Sequence, residues 1–457
     1  MEVKLDLKDA ADWVYRGEGA VNLVLAYTGT SPAFIGKVMR IQKVPRSKTA
    51  KKQVEGVNGC SVLERHAQLV WRDNAELLLA SNKETLEQLY IQHVMSPLLG
   101  PKHVDAGLRV LVTRAFLEYV QYNALCRRPA SRVDAAEVDT HCDSVLLLSD
   151  HTVFPQGILN GEPCLAVEIK PKCGFLPDSS FIAEENAIKR RMTRFRLHQA
   201  LKLHQHEISE LSDYDPLDLF SGSKERMSKA IKALYVTPQN NFRVFLNGSL
   251  ILGGLGGATG STNFATEKAF EDALKCVIQA DDGLRTNSFI QLVSEAVYHA
   301  GIMDRLLEAQ KLDYCDIEGA IHAYYNIISQ PCKACKNLDE QKVSHRYSSL
   351  HCITLDESLK IVRDYLISST AKDCSLMICF RPKGAEVSES SHNSVYLEST
   401  KQVFEYKVYF IDLDLKPLEK LEKHYEKDKK IVSCYSQKLY GTNGVNKDVA
   451  MNSCIQY

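Results

Sequence analysis

Apolar and polar positions alternate with a strand period early in the chain and switch to a helical period in its middle. Residues 21–27 and 34–41 are rich in β-formers, with Thr28-Gly29-Thr30-Ser31-Pro32 between them. Residues 11–45 therefore read as strand, glycine turn, strand, turn, strand. From 74 to 93, Leu77, Leu78, Leu86, Leu89 and Tyr90 keep helical spacing. A strand is expected over 108–116. Another over 144–148 ends at Ser149-Asp150-His151, a crossover to a second part of the chain. Helices follow at 184–211, 224–234, 266–280 and 288–310. The Gly-rich stretch 253–260 lacks the Gly-Lys-Ser/Thr ending of a phosphate loop and reads as a surface loop. The Ser-rich stretch 381–399 reads as another. Beyond Tyr425 the lysine-rich and then Asn/Ser/Gly-rich tail predicts little order. Strand and helix segments together make the fold class α+β.

Bulk properties narrow the function. At 457 residues there is room for two or three domains or one large two-part enzyme. The net charge of −1 supplies no global field toward nucleic acid or membrane, so anion binding would need local patches. No window has the length and apolarity of a membrane span. Met1-Glu2-Val3-Lys4-Leu5-Asp6 does not read as a signal peptide. The 14 cysteines are scattered, as in a protein of the reducing cytosol or nucleus.

Against that neutral background, Glu168-Ile169-Lys170-Pro171-Lys172-Cys173-Gly174-Phe175 stands out, following the strand-like Cys164-Leu165-Ala166-Val167. Strand alternation sends Glu168, Lys170 and Lys172 to one side. Pro171 cannot donate to a ladder, so it marks an edge or a strand end. Lysines bordering a core are costly to desolvate unless an anion meets them. Upstream, Arg16-Gly17-Glu18-Gly19-Ala20-Val21-Asn22 is a turn whose glycines allow backbone N–H groups to approach phosphates. Lys37-Val38-Met39-Arg40 follows. Arg191, Arg194, His198 and Lys202 fall at one helical spacing, and Lys416, Lys420 and His424 at another. Unbalanced like charges repel, by about 0.2–0.5 kcal/mol per pair, so two such stripes point to a dense anion between them. Cys332-Lys333-Ala334-Cys335 with His322 upstream supplies three of the four N and S ligands of a tetrahedral zinc. Spacing leaves His345, with nine residues between it and Cys335, and His351, with fifteen between, as alternatives for the fourth.

These motifs together resemble the inositol-pentakisphosphate 2-kinases, the plant members especially, from Asp12 to about Tyr425. The resemblance implies a two-lobed, distantly protein-kinase-like fold. Residues 1–150 would form a strand-rich nucleotide lobe. Residues 151–457 would form a second lobe with a helical inositol-phosphate-binding insertion at about 180–360. It implies transfer of a phosphate from ATP, with Mg²⁺, to the 2-hydroxyl of inositol 1,3,4,5,6-pentakisphosphate, giving inositol hexakisphosphate (phytate). Gly17, Gly19, Ala20, Val21 and Asn22 would cover the nucleotide phosphates and Arg40 would contact them. Ser149, His151 and Glu168 would lie near adenine. Asp373, in Ala371-Lys372-Asp373-Cys374-Ser375, would be the base; Asp412, in Phe410-Ile411-Asp412-Leu413-Asp414, the Mg²⁺ ligand; Lys170 would sit at the transferring group. Substrate phosphates would meet Arg132, Lys170, Lys172, Arg194, His198, Lys202, Asn240, Lys416 and Lys420. Three departures bear on this: Pro45 followed by Arg46 where plant relatives have a basic residue, Lys420 for Arg, and His424 for Tyr. Lys keeps the charge without the bidentate fork. His351 precedes a string similar to a family segment, Leu355-Asp356-Glu357-Ser358-Leu359-Lys360, so His322, Cys332, Cys335 and His351 are the expected ligands of a closed, structural zinc. A monomer with no nucleic-acid or membrane partner is expected. Lys170, Asp373 and Asp412 weigh against a non-catalytic inositol-phosphate sensor. The mixed charge around Cys332 weighs against a zinc-finger nucleic-acid binder.

Overall fold

A computed structural model describes residues 4–46, 62–154, 161–254, 267–335, 348–383 and 393–441. The fold is mixed α+β, with two sheets and many helices. The first sheet contains β1 (Lys4–Leu5), β2 (Trp13–Glu18), β3 (Asn22–Tyr27), β4 (Lys37–Pro45), β5 (Leu108–Val112), β6 (Ala136–Val138) and β7 (Ser144–Ser149). Its order is β1-β5-β7-β4-β3-β2, with β6 paired to β4. The expected strand–glycine turn–strand–turn–strand is β2-β3-β4. Helix Arg114–Ala124 packs its buried Phe116, Leu117 and Val120 on this sheet, with Trp13, Leu25 and Met39 in the same core.

The second sheet has the order β10-β9-β8-β11-β13-β12. Its strands are β8 (Leu165–Ile169), β9 (Phe242–Leu246), β10 (Ser249–Leu252), β11 (Ser375–Pro382), β12 (Asn393–Leu397) and β13 (Gln402–Ile411). β8 lies inside the sheet, and all five of its residues are buried. Pro171 therefore marks a strand end and not an edge. Helices Lys224–Val236, Arg285–Ala300, Met303–Lys311, Asp316–Ile328 and Leu355–Asp373 contribute to one core with this sheet. Among the described residues no helix is long and apolar enough to cross a membrane.

Several expected boundaries moved, each for a local reason. The strand over 108–116 stops at Val112, because the Thr113 side chain accepts from Phe116 N and starts a helix. The helix over 184–211 is two pieces, a 3₁₀ stretch Glu184–Arg190 and an α-helix Arg194–His204, with Thr193 capping the second. The helix over 288–310 starts earlier, at Arg285, and is interrupted by Gly301 at φ 60° before Met303–Lys311. Part of the expected 381–399 loop is β12, where Val395 and Leu397 alternate inward against β13. Much of the Gly-rich 253–260 stretch lies outside the described residues. The lysine-rich tail is helical over Leu421–Gly441, because Leu421, Ile431, Val432 and Cys434 form a buried stripe beneath the charges.

Candidate functional site

Strand register gathers residues from distant parts of the chain at one end of the second sheet. Ser375 pairs with Ile411 and Leu376 with Ile169. The residues just past those positions, Lys170 and Asp412, and Asp373 just before β11, must therefore converge. Lys170 Nζ lies 3.0 Å from Asp412 Oδ2 and donates to Ser375 Oγ at 2.7 Å. Ser375 Oγ donates to Glu168 Oε1 at 2.9 Å, and Arg243 Nη1 to Glu168 Oε2 at 2.8 Å, across a directly opposed β8–β9 pair. Asp373 ends helix Leu355–Asp373. Its carboxylate meets Lys416 Nζ at 3.0 Å and Lys172 Nζ at 3.8 Å. Asp373 and Asp412 are both exposed. Lys172 and Asp412 have φ of 63° and 61°, left-handed conformations that cost non-glycine residues about 1–3 kcal/mol and concentrate at functional sites.

The electrostatics follow from this crowding. The protein packed around Asp412 strips water from one side of its exposed carboxyl and pushes it up, but Lys170, Arg40 and Arg243 outweigh this and hold the group at about 2. Asp373 has the same balance: partial loss of water opposes, while Lys416 and Lys172 keep it below the ordinary carboxylate range. Burial, helped by Lys170 and Lys202, pushes the Lys172 ammonium down to about 8 against the pull of Asp373. Both carboxylates are thus ionised and face open space, and a cation beside them is short of counter-charge.

In the first sheet, the Gly17–Asn22 turn is pinned by its central residue. Buried Glu18 pairs with Lys43 and with Arg128, whose Nε lies 2.8 Å away; Lys43 also donates to Gly19 O at 2.8 Å. Gly19 has open space where a Cβ would be, as a backbone meant to approach a ligand needs. Ala20 and Val21 form the exposed tip. Arg40, on β4, is held by Glu87 at 3.1 Å and by Asp414, two residues beyond Asp412. With its amide oxygen facing the guanidinium, Asn22 accepts from Arg40 at 2.7 and 2.8 Å. Asn22, Arg40 and the Asp412 strand end are therefore one connected unit. At the crossover, Ser149 N donates to Asp105 at 2.9 Å. His151 stacks on Tyr409 with ring centroids 3.8 Å apart. The Glu168 carboxylate is engaged with Arg243, Ser375 and Lys170.

Of the first basic stripe, Arg194, His198 and Lys202 share one face of helix Arg194–His204, whereas the second stripe is not one helix face. Arg191 precedes the helix that begins at Arg194. Lys416 lies ahead of Pro417, and the helix begins at Leu421. A residue before proline avoids the helical conformation, which was readable in the chain. The charges nevertheless converge. Burial and then Lys427, Lys202, Arg194 and Lys172 push His198 down to about 3. Burial and then Arg194, Lys416, Lys420 and Lys427 push His424 to about 4. Helices Arg194–His204 and Leu421–Gly441 pack through Leu197, Leu201, Ile431 and Cys434, with Arg194 paired to Asp428. Asn240 is exposed beside Gln239, which exchanges hydrogen bonds with Gln199 of helix Arg194–His204 at 2.7 and 3.0 Å. Arg132 sits by the glycine turn, 3.5 Å from Gly19 O. The sequence reading missed Ser375, Arg243, Glu87, Asp414, Lys43 and Arg128. All are partners fixed by register or burial, with no motif of their own.

Away from this cleft, four N and S atoms close on one point. His322 Nδ1 lies 3.1 Å from His351 Nε2 and 3.3 Å from both Cys332 Sγ and Cys335 Sγ; Cys335 Sγ is 3.2 Å from His351 Nε2. All four ligand atoms lie within 4.8 Å of one another. Tetrahedral zinc with ordinary bond lengths separates its ligands by about 3.3–3.7 Å, so the donor set fits that ion. His351 Nδ1 lies 3.3 Å from Asn326 Oδ1, a contact that orients the ring. His345 lies outside the described residues.

A sheet end with two open carboxylates, a crowded lysine pair, a glycine turn and an adjoining basic cluster suits group transfer onto a polyanion. The comparisons agree. The sequence model of the inositol-pentakisphosphate 2-kinases matches residues 15–430. The chain is 59% identical to the inositol-pentakisphosphate 2-kinase of Arabidopsis thaliana, with 97% of each chain covered. It is 50% identical to that of Oryza sativa, with 96% of each covered, and 29% to that of Danio rerio, with 95% of each covered. The chain belongs to the inositol-pentakisphosphate 2-kinase family.

Proposed function

We propose that this chain is an ATP-dependent kinase that phosphorylates the 2-hydroxyl of inositol 1,3,4,5,6-pentakisphosphate to give inositol hexakisphosphate. The observation that carries the reading is the convergence of Lys170, Asp373 and Asp412 at one sheet end, beside the Arg194–His198–Lys202 and Lys416–Lys420 cluster, in a chain of this family. Residues 1–150 act as a kinase-like nucleotide lobe, and residues 151–457 as the second lobe, with the inositol-binding insertion at about 180–360. Gly17, Gly19, Ala20, Val21 and Asn22 cover the ATP phosphates, Arg40 is aimed at them, and Ser149 and His151 border the adenine.

Asp373 orients the substrate hydroxyl and accepts its proton, a role for which an exposed, ionised carboxylate is suited. Lys170, already between two carboxylates, stabilises charge on the transferring group. Asp412, ionised and open, is the residue that would hold Mg²⁺, which would supply positive charge against the negative charge developing in transfer. Lys172, Arg194, His198, Lys202, Lys416 and Lys420 hold the inositol phosphates, with Arg132 and Asn240 at the margins. His322, Cys332, Cys335 and His351 hold a structural zinc, since four protein donors leave no open position. The test is incubation with ATP, Mg²⁺ and inositol pentakisphosphate isomers, with products resolved by anion-exchange chromatography. Absence of a hexakisphosphate product would overturn the reading.

A further inference from the structure

The segment that carries Lys170 and Lys172 leaves its strand at Ile169 and has lost most of its ladder partners. Pro171 has no N–H, and Lys172 is held at φ 63°. Buried backbone groups in such a loop must find partners elsewhere. Tyr214 Oη donates to Pro171 O at 2.7 Å. Lys170 N donates to Asn241 O at 2.9 Å. Two further partners come from one side chain, Gln310, near the end of helix Met303–Lys311 and wholly buried. Its Oε1 accepts from Gly174 N at 2.8 Å, and its Nε2 donates to Lys172 O at 2.8 Å. The same Nε2 donates to Ala371 O at 3.1 Å. Ala371 lies in the last turn of helix Leu355–Asp373, where carbonyls lack intrahelical partners. It stands two residues before Asp373. Ser368 Oγ of that helix donates to the Gln310 carbonyl, fixing the glutamine at both ends. Gly174 adds a steric clamp: a Cβ there would lie 2.3 Å from the Phe220 ring.

One amide thus joins the loop that presents Lys172 to the helix end that presents Asp373, whose charged atoms lie 3.8 Å apart. We propose that Gln310 is a positioning residue for phosphate transfer, holding Lys172 in its left-handed conformation and in register with Asp373. It touches neither substrate and acts through those two residues. The inference rests on the roles proposed above for Lys172 and Asp373. Glutamine is required by the hydrogen-bond count: two carbonyls need a donor and one N–H needs an acceptor at the same buried point. Methionine matches the volume and supplies none of these. Glutamate keeps the acceptor and sets a carboxylate against two carbonyls.

Three measurements on Gln310→Met test it. In a crystal structure, Lys172 should leave the left-handed region and its separation from Asp373 should open. Turnover with inositol pentakisphosphate should fall on the order of tenfold to hundredfold, the scale of a misplaced reacting group. Affinity for ATP, measured by calorimetry, should stay within about twofold. A role limited to general stability would not give this split. Nor would it give the third result: in a Lys172→Ala background, Gln310→Met should cost much less than it does alone, because the two act through one contact. Unchanged Lys172 geometry, a loss of ATP affinity as large as the loss of turnover, or full additivity with Lys172→Ala overturns the proposal. If Gln310→Met does not fold, Gln310→Glu carries the same three measurements. If the wild-type protein transfers no phosphate, the functional reading fails, and the crystallographic measurement still decides whether Gln310 sets Lys172 against Asp373.

Discussion

The sheet end around Lys170 and the His322–Cys335 cluster are both compact sets of polar side chains, and they are built on opposite principles. At the sheet end, charges outnumber their local partners. Two carboxylates are exposed, and Lys172, His198 and His424 are pushed away from their charged forms by burial and by neighbouring cations. In the His/Cys cluster each donor faces the other donors, and an outer contact from Asn326 steadies one ring. The first set keeps exposed carboxylates and crowded cations, an arrangement that suits binding and chemistry. The second is four donors facing one point, an arrangement that suits a single structural ion. Damage to the first should therefore cost function and spare the fold; damage to the second should do the reverse.

The largest expected effect falls on the closed site. Protein purified without chelator should carry about one zinc per chain, and Cys332→Ser should lose it. Thermal stability should fall with it, since the binding energy of a structural site is folding energy. Metal analysis and a melting curve check this, and a wild-type protein free of zinc removes the contrast. His351→Ala and His345→Ala sharpen it. His351 stands within the cluster, so its loss should release the metal while His345→Ala keeps it. The opposite result would mean that the spacing of His345 was the better guide. The next largest effect belongs to the open site. Asp373→Ala should lower turnover on the order of 10²–10⁴-fold, the range for a lost general base. Both substrates should still bind, and the melting temperature should change little because the carboxylate is exposed. Near-normal turnover would remove Asp373 from the chemistry.

Arg194→Ala tests whether the basic cluster belongs to the substrate side alone. Its partner Asp428 is also held by Lys189 at 2.8 Å, so the helix packing should survive. Inositol-phosphate binding should weaken by roughly 1.5–3 kcal/mol, the range for a hydrogen bond to a charged group, with ATP binding unchanged. Calorimetry with each ligand separately distinguishes this from a general loosening, which would weaken both.

What could be read from the chain divides along the same line. The proposed zinc ligands announce themselves through Cys-x-x-Cys and a histidine on a helix stripe, because a metal site is made of unusual residues at short spacing. Lys170, Asp373 and Asp412 were legible only through the ordered set of family strings, since a lysine or an aspartate at a strand end has many ordinary explanations. Their partners were not legible at all. Arg243 meets Glu168 because β9 pairs with β8 in one particular register. Gln310 meets Lys172 because a helix far along the chain packs beneath the strand end. Register and packing are tertiary facts, and a one-residue slip would turn the same side chains to the other face. The basic stripes were legible in part: Arg194, His198 and Lys202 do share one helix, while the cap at Thr193 sets Arg191 apart from it and Pro417 sets Lys416 apart from the helix that carries His424.

The smallest expected effect is the pH dependence carried by Lys172. Its ammonium is pushed from 10.5 to about 8 by burial and by the cations near it. In folding, the unfolded chain then binds more protons than the folded one between about pH 8 and 10.5, so this group's contribution to stability rises with pH across that window. In substrate binding the sign is opposite. A bound phosphate favours the ammonium, so binding above about pH 8 must take up a proton. Affinity for inositol pentakisphosphate should therefore hold below that pH and fall roughly tenfold between about pH 7 and 9 on account of this one group. Ionisation of the substrate itself also changes with pH, and Lys172→Arg separates the two, because arginine stays charged throughout. Calorimetry in buffers of different ionisation heat should show proton uptake near pH 8.5 in the wild type and less in Lys172→Arg. Equal uptake in both would mean that the Lys172 ammonium is already satisfied in the free protein, most directly by Asp373, and the open site would then be less starved of counter-charge than its geometry indicates.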